Sequence, residues 1–273
     1  MPGPNSKDIN AYKRVVRTAC LEAAKVLKKN YGKITNANIQ TKAKNDFVTF
    51  VDKKSQDILI NHLSKAFPTH GFKAEEKGFV KEADHTWVID PVDGTTNFIY
   101  QIPAFCISIA LRSHGVMVYG AVYDPLHDEW FEAAKGQGST LNKKAIHVSR
   151  ARTLSNSLLA TGFPFRCKDR FKPYQQSFSK FFHQARGMRR LGSAALDLCY
   201  TACGRFEGYW ELGLKEWDSA AGSLIVTEAG GVVTDFKGGQ TFLNSGDTLA
   251  ANKRVHKEML KILKTIRGLP LKK

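Results

Sequence analysis

An apolar run, Trp87-Val88-Ile89, breaks off into Asp90-Pro91-Val92-Asp93-Gly94-Thr95-Thr96-Asn97-Phe98, and few backbones accommodate that order of residues. The bulky apolar residues suit a buried strand. Pro91 has no N–H to give a sheet ladder, so the ladder is expected to stop near Asp90, with Asp90 and Asp93 at the strand's carboxyl end. Gly94 permits close backbone approach and unusual φ, while Thr95, Thr96 and Asn97 start helices, where unbonded N–H groups can face an anion. Carboxylates beside an anion cradle repel a phosphate unless cations lie between them. The pattern therefore points to Mg²⁺, a hard ion that binds through one or a few carboxylates together with phosphate oxygens.

The stretch Asp90 to Phe98 resembles the central signature of the inositol monophosphatase family, the Mg²⁺-dependent, lithium-sensitive phosphatases. A second stretch strengthens the likeness. Glu216-Trp217-Asp218-Ser219-Ala220-Ala221-Gly222, followed by Thr227-Glu228-Ala229-Gly230-Gly231, resembles the family's distal signature, an aspartate after a tryptophan at the start of a helix that ends in two glycines. Both lie in the family's order, and weaker similarity runs from about residue 10 to 265.

The resemblance implies an α/β fold, the layered α-β-α-β-α sandwich of the sugar phosphatases, usually a homodimer. Its two halves would be 1–150, with Glu75 and the Asp90 to Phe98 motif, and 151–273, with Glu211 and Asp218, and the site would lie in the cleft between them. The polar, basic segment from Arg150 to Ser157 is a plausible place for that division.

The resemblance also implies a ligand set. Glu75, Asp90 and the Val92 carbonyl would hold one Mg²⁺; Asp90, Asp93 and Asp218 would hold a second, with Asp90 bridging. Glu75 comes from the pair Glu75-Glu76, which on sequence alone reads as solvated, and Glu76 is the alternative ligand. Asp52, by itself a helix N-cap, would orient Thr95. Thr95 and Glu75 would position the attacking water. Asp93 and the N–H groups of Gly94 and Thr95 would meet the phosphate, and Gly192, Ser193, Ala194 and Glu211 the substrate's hydroxyls. Ser193 also reads as a helix cap.

Such an arrangement suits the chemistry of a phosphate monoester, whose uncatalysed hydrolysis is among the slowest reactions known. A metal pair about 4 Å apart lowers the pKa of a water, neutralises phosphate charge and stabilises the departing oxygen. Thr96-Asn97-Phe98 resembles the inositol monophosphatase subgroup, which favours myo-inositol 1-phosphate and similar sugar or polyol phosphates as substrates.

The rest of the chain is consistent with a globular enzyme. Its 273 residues are 42% hydrophobic, enough for a sizeable core. The cysteines, at 20, 106, 167, 199 and 203, form no C-x-x-C and no disulfide framework, which suits a cytoplasmic protein. Cys199 and Cys203, at i and i+4, read as packing residues. No apolar run approaches the roughly 18 residues of a membrane span.

Helical spacing predicts a helix over Asp8–Tyr31, with Lys13, Arg14, Arg17, Lys25, Lys28 and Lys29 on its outer face, and a second helix from after Asp52 to Phe67, where Pro68 ends it. Two runs, Ala104–Arg112 and Val116–Tyr123, read as a hairpin, Glu129–Ala134 as a strand, and Gly136-Gln137-Gly138 as a turn. The second half alternates strands and helices: Leu158–Gly162, Phe171–Gln184, Ser193–Cys203, Phe206–Leu212, Asp218–Ala229, Val232–Phe236 and Thr248–Ala251.

Lys and Arg outnumber Asp and Glu by 41 to 25, a net charge of +16. That excess supports a second reading, in which a surface binds RNA or the transcription elongation machinery, since similar bacterial members of the family are associated with both. Basic residues cluster in the first helix, around Arg186, Arg189 and Arg190, and in the tail from Lys253 to Lys273, although no RNA-binding motif is present.

Overall fold

The structure, a computed structural model, describes residues 6–35, 39–43, 46–76, 78–81 and 83–269. The first part of the chain runs α1 (Ser6–Asn30), β1 (Ile39–Ala43), β2 (Asp46–Thr49), α2 (Phe50–Ala66), β3 (Gly71–Ala74), β4 (Gly78–Lys81), β5 (His85–Asp93) and α3 (Thr95–Ile99). It continues through β6 (Cys106–Ser113), β7 (Val116–Asp124), β8 (Glu129–Ala134), β9 (Ser139–Leu141) and β10 (Lys144–Ile146). Then come β11 (Leu158–Thr161), α4 (Phe171–Phe182), β12 (Gly187–Arg189), α5 (Ala194–Ala202), β13 (Gly208–Glu211), α6 (Glu216–Glu228), β14 (Val232–Thr234), α7 (Phe242–Ser245), β15 (Thr248–Ala251) and α8 (Lys253–Lys264).

An eight-stranded sheet, ordered β10-β9-β8-β7-β6-β5-β3-β4, is antiparallel except where β3 meets β5, and β1 and β2 form a separate ribbon. A five-stranded sheet is ordered β12-β11-β13-β15-β14. The side-chain period of two sorts the first sheet's residues between two cores. Trp87, Ile89, Ile107, Ile109, Leu111 and Tyr119 pack with α1 and α2, through Val16, Ala23, Leu27, Leu59 and Leu63. Val88, Cys106, Ala110 and Val122 face the opposite way, onto Leu198 of α5 and Ala220, Ala221 and Ile225 of α6.

The same middle core takes Ala160, Tyr209 and Ala250 from the second sheet. That sheet's far face carries Leu159, Trp210 and Leu249, packed on Tyr174 and Phe181 of α4 and on Val255, Met259 and Leu263 of α8. The layers are therefore α1/α2, sheet, α5/α6, sheet, α4/α8, the α-β-α-β-α sandwich. Every strand of the larger sheet precedes residue 147 and every strand of the smaller follows 157, while α5 and α6 pack between them.

Two local expectations are corrected, and one is refined. The second helix starts at Phe50, because Thr49 takes the N-cap: its hydroxyl accepts from Val51 N, and Asp52, three residues on, accepts from Thr49 N. Pro91 does not end β5; the ladder skips it through a bulge, with Asp90 opposite Ser108 and Asp93 opposite Cys106. The basic tail begins as the amphipathic helix α8, whose apolar residues turn inward, and its last residues, 270–273, lie outside the described residues.

Candidate active site

The bulge in β5 does what a plain strand end does not: it turns Asp90 and Asp93, an odd number of residues apart, toward the same cleft. Gly94 follows at φ 95°, and a Cβ there would lie 2.8 Å from the Ala104 carbonyl, so only glycine lets the chain turn into α3. The cleft has a volume of 490 Å³, and Glu75, Asp90, Asp93, Thr95, Gly192, Ala194, Glu211 and Asp218 line it. These come from five stretches of chain on both sheets, brought together by the layering.

Asp52 reaches the site from α2. Its Oδ1 accepts from Thr95 Oγ1 at 3.0 Å, while Oδ2 is taken up by Thr49. Thr95 has one hydroxyl hydrogen and two acceptors for it, since the Val92 carbonyl also lies 3.0 Å away. Asp90 is 1% exposed; its Oδ1 accepts from Val92 N at 3.0 Å. Burial, then the charges of Glu75, Asp93 and Asp218, push the Asp90 carboxyl well above the ordinary range. The same two causes, burial and then Asp218, raise Asp93 to about 6, against the pull of its hydrogen bonds.

Asp93 ties the end of β5 to the start of α5. Its Oδ2 accepts from Ser193 Oγ at 2.6 Å and from Ala195 N at 2.7 Å, so a carboxylate of the first sheet occupies the start of α5, a favourable place for negative charge. Ser193 is the N-cap of α5, as its type suggests, with its side chain accepting from Leu196 N. Asn97 adds a second tie by donating to the carbonyls of Leu191 and Ala104. Asp218 is the third residue of α6 and accepts from Lys215 N at 2.7 Å, so it completes its own helix start while facing the cleft.

Glu75 sits in the turn after β3, its N–H donating to Ile89 O, and it reaches the cleft, whereas the Glu76 N–H donates to Gln56 Oε1. Glu211 ends β13, and burial foremost raises its carboxyl to about 7 although Tyr209 OH donates to it at 2.7 Å.

Residues outside the sequence-derived set complete the cleft. Arg166 Nη1 donates to Asp218 Oδ2 at 2.5 Å, and its Nη2 lies 3.9 Å from Glu75 Oε1. Arg190, with its guanidinium 5.2 Å from the Phe163 ring, also lines it. Gly162 matters by its lack of a side chain, since a Cβ there would lie 2.0 Å from the Glu211 carboxylate. Neither Arg166 nor Gly162 belongs to a recognisable motif, and only the fold brings them to the acids. The five cysteines are free, and Cys199 is buried in the middle core.

Five layers and an acid-lined cleft between the sheets define the class of layered sugar phosphatases. Within it, the chain belongs to the inositol monophosphatase family, whose model matches residues 9–267. Nus factor SuhB of Escherichia coli (strain K12) is 45% identical over 244 residues, which cover 89% of this chain and 91% of that protein. The crystal structure of extragenic suppressor protein suhB from Bartonella henselae aligns with a TM-score of 0.90 at 38% identity, covering 94% of this chain and 99% of that one. The inositol monophosphatase from Anabaena (Nostoc) sp. PCC 7120 aligns at 0.84 and 37% identity, covering 96% and 98%.

Proposed function

We propose that this chain is a Mg²⁺-dependent phosphate monoester hydrolase acting on myo-inositol 1-phosphate and similar polyol phosphates, as a cytoplasmic homodimer with halves 1–150 and 151–273 on either side of the cleft. The observation that carries this reading is the convergence of Glu75, Asp90, Asp93 and Asp218 on one cleft. The donor set suits a hard divalent cation: it is all oxygen, and like charges held together at Asp90 are what such a cation relieves.

Glu75, Asp90 and the Val92 carbonyl would hold one ion, and Asp90, Asp93 and Asp218 the other. When bound, the ions supply a more acidic water, charge neutralisation and a stabilised leaving oxygen. Thr95 gives its hydrogen to Asp52 or Val92 O, which leaves its lone pair to accept from the attacking water, and Glu75, in the turn after the neighbouring strand β3, would flank that water. Gly94 and Thr95 would offer N–H groups to the phosphate. Gly192, Ser193 and Ala194 leave room for the ring, and Glu211 would accept from its hydroxyls.

The test is the purified protein on a panel of phosphate monoesters with Mg²⁺. Turnover of myo-inositol 1-phosphate with the highest kcat/KM is expected; no Mg²⁺-dependent turnover of any monoester would overturn the reading.

A second function has its own observation. Relatives named Nus factor suggest work with the transcription machinery, and away from the cleft a 370 Å³ depression is lined by Arg150, Arg152, Lys253 and Arg254 with no carboxylate in its wall. We assign that depression to a polyanion such as RNA, alongside catalysis, and the salt dependence that tests it is given below.

A further inference from the structure

Of the two arginines that line the cleft, Arg166 is the one that pairs with Asp218 and approaches Glu75. It lies in the loop 162–167 between β11 and α4, and the Cys167 N–H turns back onto the Pro164 carbonyl there. Its guanidinium donates to Asp218 Oδ2 at 2.5 Å and stands 3.9 Å from Glu75 Oε1, so one side chain spans acids from the two sheets' halves. Asp218 and Glu75 are nearly buried, their side chains 5% and 11% exposed, while Arg166 is 38% exposed.

The asymmetry matters. Buried carboxylates without a counter-charge are costly, so the guanidinium stabilises the cleft when no other cation is there. Arg cannot lose its proton, and therefore it cannot withdraw by becoming neutral. It can withdraw only by moving, and its exposure and its long stem give it somewhere to go.

We propose that Arg166 is a resident counter-ion that occupies the Asp218 side of the cleft until a divalent cation displaces it, so that it weakens cation binding and sets the concentration at which the cleft fills. This rests on the reading of Glu75 and Asp218 as cation ligands. A divalent ion brings twice the charge and wins once its concentration suffices, whereas the freed guanidinium stays beside the cleft mouth, where a phosphate dianion suits its planar donors.

The experiment is calorimetric titration of Mg²⁺ into metal-free protein, for wild type, Arg166→Gln and Asp93→Asn, together with melting curves of the metal-free and Mg²⁺-loaded forms. Arg166→Gln is expected to bind Mg²⁺ about 3- to 10-fold more tightly, since the ion no longer breaks a part-exposed ion pair. Its metal-free form should melt lower than wild type and gain more on loading. Asp93→Asn should bind more weakly.

An Arg166→Gln affinity equal to or weaker than wild type, with Asp93→Asn weakened as expected, overturns the counter-ion role and leaves the ligand set standing. An unchanged affinity in Asp93→Asn removes the ligand set, and the counter-ion role with it.

Discussion

Asp93 carries two duties on one carboxylate. Its Oδ2 holds the start of α5 through Ser193 and Ala195, and the group also faces the cleft. Asn at this position keeps an oxygen for those donors and loses only the charge. Asp93→Asn should therefore keep the fold, with an unchanged melting temperature to within a few degrees, while kcat/KM falls about 100-fold or more in a Mg²⁺ assay. Asp218 invites the same separation, because its hydrogen bond from Lys215 N is a capping role that Asn fills about as well. For Asp218→Asn, initial rates across a Mg²⁺ titration, with and without Li⁺, should show weaker activation and blunted inhibition; curves that superimpose on wild type would reduce Asp218 to a cap. Asp197 is a different case, 1% exposed on α5, with burial foremost and then Glu211 and Asp93 holding its carboxyl well above the ordinary range. A folded pKa above the unfolded one means that the native state holds the extra proton, so this group costs stability increasingly as pH rises past the unfolded value near 3.9. Asp197→Asn removes that cost, and its urea midpoint should exceed wild type at pH 7 and draw level toward pH 4.

At the scale of elements, α5 and α6 cross closely in the middle layer. A Cβ on Gly222 would lie 2.6 Å from the Leu198 Cβ, so Gly222→Ala should force the helices apart and cost about 1–3 kcal/mol, read as a lower urea midpoint. The start of α2 is a second such point. Thr49→Ala removes the cap and one of the groups that fix Asp52, so about 1–2 kcal/mol of stability should go, and kcat should fall as Asp52 loosens its hold on Thr95. These elements also show what sequence reveals. The strands β6 and β7 were legible as runs rich in branched and aromatic residues around Ser113-His114-Gly115, α1 by its helical spacing, and α6 through the resemblance of its sequence to the family's distal signature. The bulge at Pro91 was not, since proline forbids a ladder bond but does not say whether the strand stops or steps over it. The Thr49 cap was missed because Thr49 and Asp52 are both good caps three residues apart, and only the capping-box geometry decides between them. Asp90, Asp93 and Asp218 stand in two motifs, whereas Glu75 and Glu211 are legible only through the family resemblance; Arg166 and Gly162 act only where the fold places them, next to residues about 50 positions away.

The whole molecule is basic, and its charge is not spread evenly around the acid-lined cleft. Arg17 is partly engaged over the Trp130 ring, 5.0 Å away, whereas Arg150, Arg152, Lys253 and Arg254 surround their own depression. If that depression takes RNA, affinity should fall steeply between roughly 50 and 200 mM salt, and Arg150→Glu with Arg254→Glu should weaken it with the phosphatase rate unchanged. Charge reversal at Lys25, Lys28 and Lys29 serves as the comparison on α1, and binding lost there instead would move the surface to the first helix. The layering has one more consequence, which concerns the order in which the chain is made. The larger sheet is complete by Ile146, but the helices that cover its second face, α5 and α6, come from residues 194 to 228. A nascent chain that has emerged only that far presents Val88, Ala110, Val122 and Phe131 uncovered, an apolar face of the sort that aggregates or recruits chaperones. Chains arrested on the ribosome with 150 residues exposed should bind a hydrophobic dye, and those with all 273 exposed should not, so the larger sheet waits on the later helices for its shelter.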